Sequence, residues 1–266
     1  MDKFGFIGCG NMGYPMLCGV KNAFGLDSVT FTTGSDERRK LVEKETGVNY
    51  SPDNVSVVTS CKYIVLAIKP QKYEEVFKEI KSFINQEHII ISIAVGFPIE
   101  NIKQSLGSSV RVVRGMPNTP ALVGEGMSGI CFSDDTFTKE ENSIIDRFFN
   151  SFGKYEIFDE KLMDAVACAS GSSPAYVYMF IEALADSVVK YGIPRNKAYD
   201  LVSQTVLGAA KMVLETKEHP GKLKDQVCSP GGTTIAGVAA LEENGFRNAV
   251  IKATDACYEK AVSMKK

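Results

Sequence analysis

The chain has 266 residues, with 30 basic and 32 acidic side chains interspersed along it and a formal net charge of −2. Such a balance offers a polyanion no electropositive footprint, which excludes nucleic acid as an expected partner. No apolar run approaches the roughly 20 residues that span a bilayer, and 44% hydrophobic residues over this length support a core that divides naturally between two domains.

The seven cysteines are odd in number, widely spaced and never arranged as CxxC, so they read as reduced, mostly core residues rather than a disulfide framework or zinc site. With only His88 and His219 available, a multi-histidine metal centre is not expected. The opening Met1-Asp2-Lys3-Phe4 runs directly into an apolar strand without the basic segment and cleavage site of a secretory peptide, so a cytoplasmic location is expected.

Short apolar runs over 4–7, 29–32, 63–68, 88–93, 110–114, 129–132 and 155–158 predict strands. Amphipathic stretches over 36–46, 71–84 and 139–152 predict intervening helices, two of them closed by Gly47 and Gly153. Strand alternating with helix implies a parallel, doubly wound sheet over residues 1–160. Beyond Asp159 the strand signal ends, and helical patterns over 174–191, 196–216, 234–243 and 247–264 predict an all-helical second domain, 161–266. In the first of these helices Glu182, Asp186 and Lys190 form one narrow polar stripe, and the next is almost as apolar. Helices so poor in wet surface predict a subunit interface.

Directly after the first strand stands Gly8-Cys9-Gly10-Asn11-Met12-Gly13, a complete GxGxxG between a strand and a helix. Gly8 permits the tight turn, Gly10 lets the backbone approach a pyrophosphate, and Gly13 allows close packing of helix on strand. A Rossmann-type dinucleotide domain is therefore expected. The carboxylate that usually holds an NAD ribose at the end of the second strand is missing: that position reads Thr32-Thr33-Gly34-Ser35. A carboxylate there would oppose a 2′-phosphate by about 1 kcal/mol in water and about 4 at an effective dielectric of 20. Its absence favours NADPH and leaves NADH open, with Thr33 and Ser35 as hydrogen-bond donors and Arg38 or Arg39 as added charge. Two further segments fall at strand C-terminal ends, where open α/β sheets bind ligands. They are Ala67-Ile68-Lys69-Pro70 and Met116-Pro117-Asn118-Thr119-Pro120, the Asn118 amide being placed to reach the nicotinamide carboxamide or the substrate.

Late in the chain, Ser229-Pro230-Gly231-Gly232-Thr233-Thr234 enters a helix. Several backbone N–H groups and hydroxyls at a positive helix end form a cradle for an anion such as a carboxylate. With Leu241-Glu242-Glu243-Asn244-Gly245-Phe246-Arg247 downstream, the segment resembles the signature of the pyrroline-5-carboxylate reductases. The resemblance extends to GFIGCGNMG, AIKP, MPNTP, the run 169–176 and His219-Pro220. It implies hydride transfer from NAD(P)H to the C=N bond of 1-pyrroline-5-carboxylate, giving L-proline. Ser229, Gly232 and Thr233 would hold the substrate carboxylate and Thr234 would lie against the ring nitrogen, while Asn54, Lys69 and Ser35 would contact the cofactor. It also implies an obligate homodimer of interleaved C-terminal helices, often assembled into a pentamer of dimers, with two copies of the helical domain completing each active site.

Two other readings compete. The β-hydroxyacid dehydrogenases share the N-terminal signature but resemble one another in a catalytic lysine shortly after a glycine-rich helix start; here Gly171 is followed by no lysine until Lys190. A non-catalytic NAD(P)-binding sensor would be marked by decay of GxGxxG or PGGTT, and both are intact.

Overall fold

A computed structural model describes residues 3–264; Met1, Asp2, Lys265 and Lys266, the outer ends of the two expected domains, lie outside the described residues. By contacts the chain forms two compact units, residues 1–174 with 257–266, and residues 175–256.

The first unit is built on a seven-stranded sheet: β1 (Phe4–Ile7), β2 (Val29–Thr32), β3 (Tyr63–Leu66), β4 (Ile89–Ser92), β5 (Arg111–Met116), β6 (Gly126–Phe132) and β7 (Gly153–Ile157), in the order β2-β1-β3-β4-β5-β6-β7. β1, β3 and β4 are buried at every position, as strands covered by helices on both faces must be. From β1 the chain crosses first to β2 on one side and later to β3 on the other, which opens a crevice at the C-terminal ends of β1 and β3. The expected doubly wound α/β fold is present, with a departure at its far edge. β6 runs antiparallel to β5, and β7 runs parallel to β6. Only a loop and the short turn Thr119–Val123 join β5 to β6, too little chain for the crossover that parallel neighbours require.

Helices cover both faces: α1 (Gly13–Phe24), α2 (Asp36–Thr46), α3 (Asn54–Ser60), α4 (Tyr73–Ile80), α5 (Ile99–Leu106), α6 (Lys139–Asn150) and α7 (Met163–Val166). The Ser35 hydroxyl caps α2 by accepting from the Arg38 amide, and Gly47 ends it at φ 71°. Gly153 does not close α6: that helix ends at Asn150 with Ser151 as its C-cap, and Gly153 is the first residue of β7, where a Cβ would overlap the Gly126 carbonyl oxygen. It is glycine because two backbones meet there.

Glu141 ties together three separate segments of this unit. Its carboxylate accepts from Lys62 Nζ at 2.8 Å, Arg111 Nη1 at 2.5 Å and the Thr138 amide at 2.9 Å, in a capping box for α6. Burial would raise its pKa, but the hydrogen bonds from Arg111, Lys62 and Thr138 outweigh burial and bring it to about 2. A folded value below the ordinary one stabilises the fold above the ordinary carboxylate range, and that stability is lost as pH falls from about 4.5 towards 2. Glu141→Gln should therefore cost about 3 kcal/mol near neutrality, and the gap to wild type should close on acidification. A gap in thermal midpoint that stays constant from pH 7 to pH 3 would exclude this ion cluster as its source.

The second unit comprises most of α8 (Ser173–Lys190), α9 (Arg195–Thr216), α10 (Pro220–Gln226), α11 (Thr233–Glu243) and most of α12 (Phe246–Ser263). Its own core is small: Ala185, Ala198 and Val202 with partly buried neighbours such as Ile181 and Val206. Large apolar side chains remain on its surface, among them Met179 at 69% and Leu214 at 66% exposure, and α11 buries none of its residues. Apolar surface on this scale marks a face built to be covered. Among the described residues no helix is long and apolar enough to cross a membrane.

Candidate active site

The glycine-rich loop lies in the crevice at the end of β1, and each glycine answers to a measurable constraint. Gly8 has φ 91°, and a Cβ there would lie 2.6 Å from the Ala67 carbonyl oxygen. A Cβ at Gly13 would lie 2.8 Å from the Gly8 carbonyl oxygen and 3.0 Å from the Ala67 Cβ, so α1 packs against the β3 end only because residue 13 has no side chain. Gly10 is exposed and has nothing within 4 Å of where its Cβ would stand. It therefore faces open space. α1 begins at Gly13 without a side-chain cap; the Tyr14 amide turns back to the Gly10 carbonyl at 3.0 Å and Pro15 has no N–H, so an anion at this helix start would be met by the amides of the loop before them. Asn11 is exposed and Met12 half-buried beside them, whereas Cys9 is buried and burial pushes its thiol up to about 12, so it serves as a neutral packing group.

Arg38, which the sequence offered only as one of two nearby charges, is held across this loop. Its Nε donates to the Cys9 carbonyl at 2.6 Å and its Nη2 to the Gly10 carbonyl at 3.4 Å, and its guanidinium lies 4.9 Å over the Tyr14 ring. Tyr14 is fixed in turn by donating to Glu45 at 2.6 Å. Arg39 turns away, over the Tyr50 ring and against Glu43. A cation on the first turn of the helix after β2 was the available signal; its reach back to the loop was not visible without the fold.

Two cavities in this unit flank the loop. One of about 300 Å³ lies beyond β1 and β2, with Gly8, Thr33, Gly34, Asn54 and Ile68 in its wall; Asn54 donates to Glu79 at 2.5 Å across it. Ser35 is exposed at the start of α2. Ala67 continues the β3 pairing by donating to the Ile7 carbonyl at 2.9 Å, and Lys69 stands exposed before the turn that Pro70 begins. The other cavity, about 440 Å³, lies beyond β4 and β5 and is lined by Met12, Ile93, Asn118, Gly171, Ser172 and Cys257, among others. Asn118 lies at this cavity, but both ends of its amide are engaged. Nδ2 donates to the Ser170 carbonyl at 3.0 Å and Oδ1 accepts from the Met127 amide at 2.8 Å. Its geometry holds the proline-rich loop to a π-helical turn, Ala167–Ser172, that links α7 to α8 and that the sequence did not reveal. Such turns concentrate at functional sites.

In the helical unit, Ser229 to Gly232 fold into a tight turn, with the Gly232 amide donating to the Ser229 carbonyl at 3.0 Å and Gly231 at φ 69°. Gly232 caps α11 with no side chain of its own, and Thr233 and Thr234 are exposed in its first turn. Free amides and two hydroxyls thus meet at one helix start, as a carboxylate cradle requires. The downstream signature is structural: Arg247 Nε donates to Glu242 at 2.7 Å across Gly245, at φ 71°, and so fixes the corner between α11 and α12.

A glycine-rich loop at the switch point of a doubly wound sheet defines the class of nucleotide-binding oxidoreductase folds, and the family described as "NADP oxidoreductase coenzyme F420-dependent" matches residues 3–96. The family described as "Pyrroline-5-carboxylate reductase dimerisation" matches residues 160–264. Over 266 residues the chain is 42% identical to the pyrroline-5-carboxylate reductase of Escherichia coli, covering 99% of this chain and 98% of that protein. The pyrroline carboxylate reductase of Plasmodium falciparum, solved with NADP bound, superposes with a TM-score of 0.89 at 35% identity, covering 100% of this chain and 98% of that one. That of Coxiella burnetii gives a TM-score of 0.91 at 32% identity, covering 100% and 99%. The chain belongs to the pyrroline-5-carboxylate reductase family.

Proposed function

We propose that this protein reduces the C=N bond of 1-pyrroline-5-carboxylate with NAD(P)H to give L-proline, the last step of proline biosynthesis. The observation that carries the reading is the coexistence, in one chain of this family, of an open glycine-rich loop at β1 and an uncapped PGGTT helix start at α11. When bound, the cofactor supplies a hydride from C4 of its nicotinamide ring.

The protein's own part is to bind and orient. Gly8, Cys9, Gly10, Asn11, Met12 and Gly13 cradle the pyrophosphate; Thr33, Ser35 and Asn54 serve the adenosine end; Ala67, Lys69 and Pro70 border the nicotinamide ribose. Ser229, Gly231, Gly232 and Thr233 hold the carboxylate, and Thr234 hydrogen-bonds the ring nitrogen as orienter or proton relay. The protonated imine is already electrophilic, so positioning and exclusion of water do most of the work. Asn118, with its amide engaged, acts by fixing the loop that shapes the nicotinamide cavity. Residues 1–160 form the cofactor-binding part and 161–266 the substrate-binding and dimerisation part. Exposed apolar faces on α8, α9 and α11 support a homodimer, and a pentamer of dimers extends the same assembly; the enzyme works in the cytoplasm. With NADPH carrying deuterium at both C4 positions, proline should carry one deuterium on the former imine carbon. Unlabelled proline, or none, would end this reading.

NADPH is the preferred cofactor, because β2 ends without a carboxylate and Arg38 sits at the loop beside it. Arg38→Ala should lower the preference for NADPH over NADH roughly tenfold, equivalent to about 1.4 kcal/mol, as measured by the ratio of kcat/KM values. Equal losses with both cofactors would reduce Arg38 to a clamp on the loop.

A further inference from the structure

Two thiols meet beside the nicotinamide cavity. Cys168, in the π-helical turn, is 2% exposed and its Sγ donates to the Asp164 carbonyl at 3.2 Å. Cys257, in α12, donates its Sγ at 3.2 Å to the hydroxyl of Ser172, the last residue of the same turn, and lines the cavity of about 440 Å³. Residues 168 and 172 lie four apart in that π-helical turn and share a face of it, so the bond from Cys257 to Ser172 sets Cys257 against the same face as Cys168. Neither cysteine is in a disulfide. Burial, and then the neighbouring Cys257, push the Cys168 thiol up to about 11, so it stays protonated near neutrality.

We propose that Cys168 and Cys257 form a redox-active pair that peroxide converts to a disulfide. Cys257, half-buried and open to the cavity, reacts first: its sulfur bonds to one peroxide oxygen as the O–O bond breaks, and water leaves. The Cys168 sulfur then attacks that sulfenic acid, the S–S bond forms as the S–O bond breaks, and a second water leaves. Two thiols and one hydrogen peroxide give one disulfide and two waters. The bond ties the α12 wall of the cavity to the π-helical turn, and because this rests on the cavity being the nicotinamide subsite, its consequence is weaker use of NADPH.

The test uses the full-length protein, treated with hydrogen peroxide, alkylated and digested for mass spectrometry. The expected product is a peptide pair joined through residues 168 and 257, lighter by two hydrogens than the separate peptides. It should be accompanied by a KM for NADPH raised roughly fivefold or more and restored by dithiothreitol. Cys168→Ser, with basal activity unchanged, should lose both the cross-link and the reversible effect; Cys257→Ser should lose the cross-link. Absence of the 168–257 pair in oxidised wild type, or the pair with an unchanged KM, overturns the proposal. A wild type that forms the cross-link on oxidation but, before oxidation, reduces no imine would remove the functional reading and leave the thiol pair standing.

Discussion

Gly10→Val should leave the protein folded with a thermal midpoint close to wild type while weakening NADPH binding by roughly a hundredfold or more, about 2.7 kcal/mol. Nothing in the protein lies within 4 Å of a Cβ at residue 10, and its φ is not in the left-handed region, so the substitution meets no internal obstacle. The only thing a side chain there would displace is a ligand whose phosphates approach the backbone. Gly8→Val provides the contrast. With φ 91° and the Ala67 carbonyl oxygen 2.6 Å away, it should lose cofactor binding and fold stability together. Titration of NADPH fluorescence beside a thermal melt separates the two cases, and a Gly10→Val protein that binds NADPH normally would displace the pyrophosphate from this loop.

The second large effect is expected at the other end of the chain. Thr234→Ala should lower kcat roughly 10- to 100-fold, the worth of one hydrogen bond to a charged group at about 1.5–3 kcal/mol, with the KM for the imine little changed. Thr233→Ala should instead raise that KM and spare kcat. The two hydroxyls begin the same helix turn and are both exposed in this unit, so the division between turnover and binding is what distinguishes a group at the reacting nitrogen from one at the carboxylate. Thr234→Ser should recover most of the turnover. Unchanged turnover in Thr234→Ala would remove this residue from the mechanism.

Much of this was legible in the sequence because it depends on local chemistry. A GxGxxG loop announces itself, since its glycines are imposed by contacts with the next turn and the neighbouring strand. The α2 boundaries, 36–46, were read correctly because Ser35 and Gly47 are a cap and a left-handed stop. Where local chemistry is ambiguous the reading failed. α3, with the sequence NVSVVTS, is rich in β-branched residues and is held as a helix by the Asp53 cap and by burial of Val57 and Val58. Gly153 looked like a helix stop because the close backbone contact that requires it, with Gly126, comes from a distant strand. The direction of β6 and β7 depends on how little chain joins β5 to β6, which periodicity does not weigh. The Asn118 amide, the reach of Arg38 to Cys9 and Gly10, and the bond from Cys257 to Ser172 are all tertiary facts, brought about by segments tens of residues apart.

The proposed reductase couples, in one chain, a dinucleotide loop to an imine-carboxylate cradle. Its most direct test follows NADPH absorbance with purified protein and 1-pyrroline-5-carboxylate, beside a Gly232→Trp variant in which the cradle is blocked at the α11 cap. Oxidation of NADPH that requires the imine and disappears in the variant is the predicted result. Absence of oxidation in wild type that demonstrably binds NADPH, or undiminished oxidation in Gly232→Trp, would contradict it.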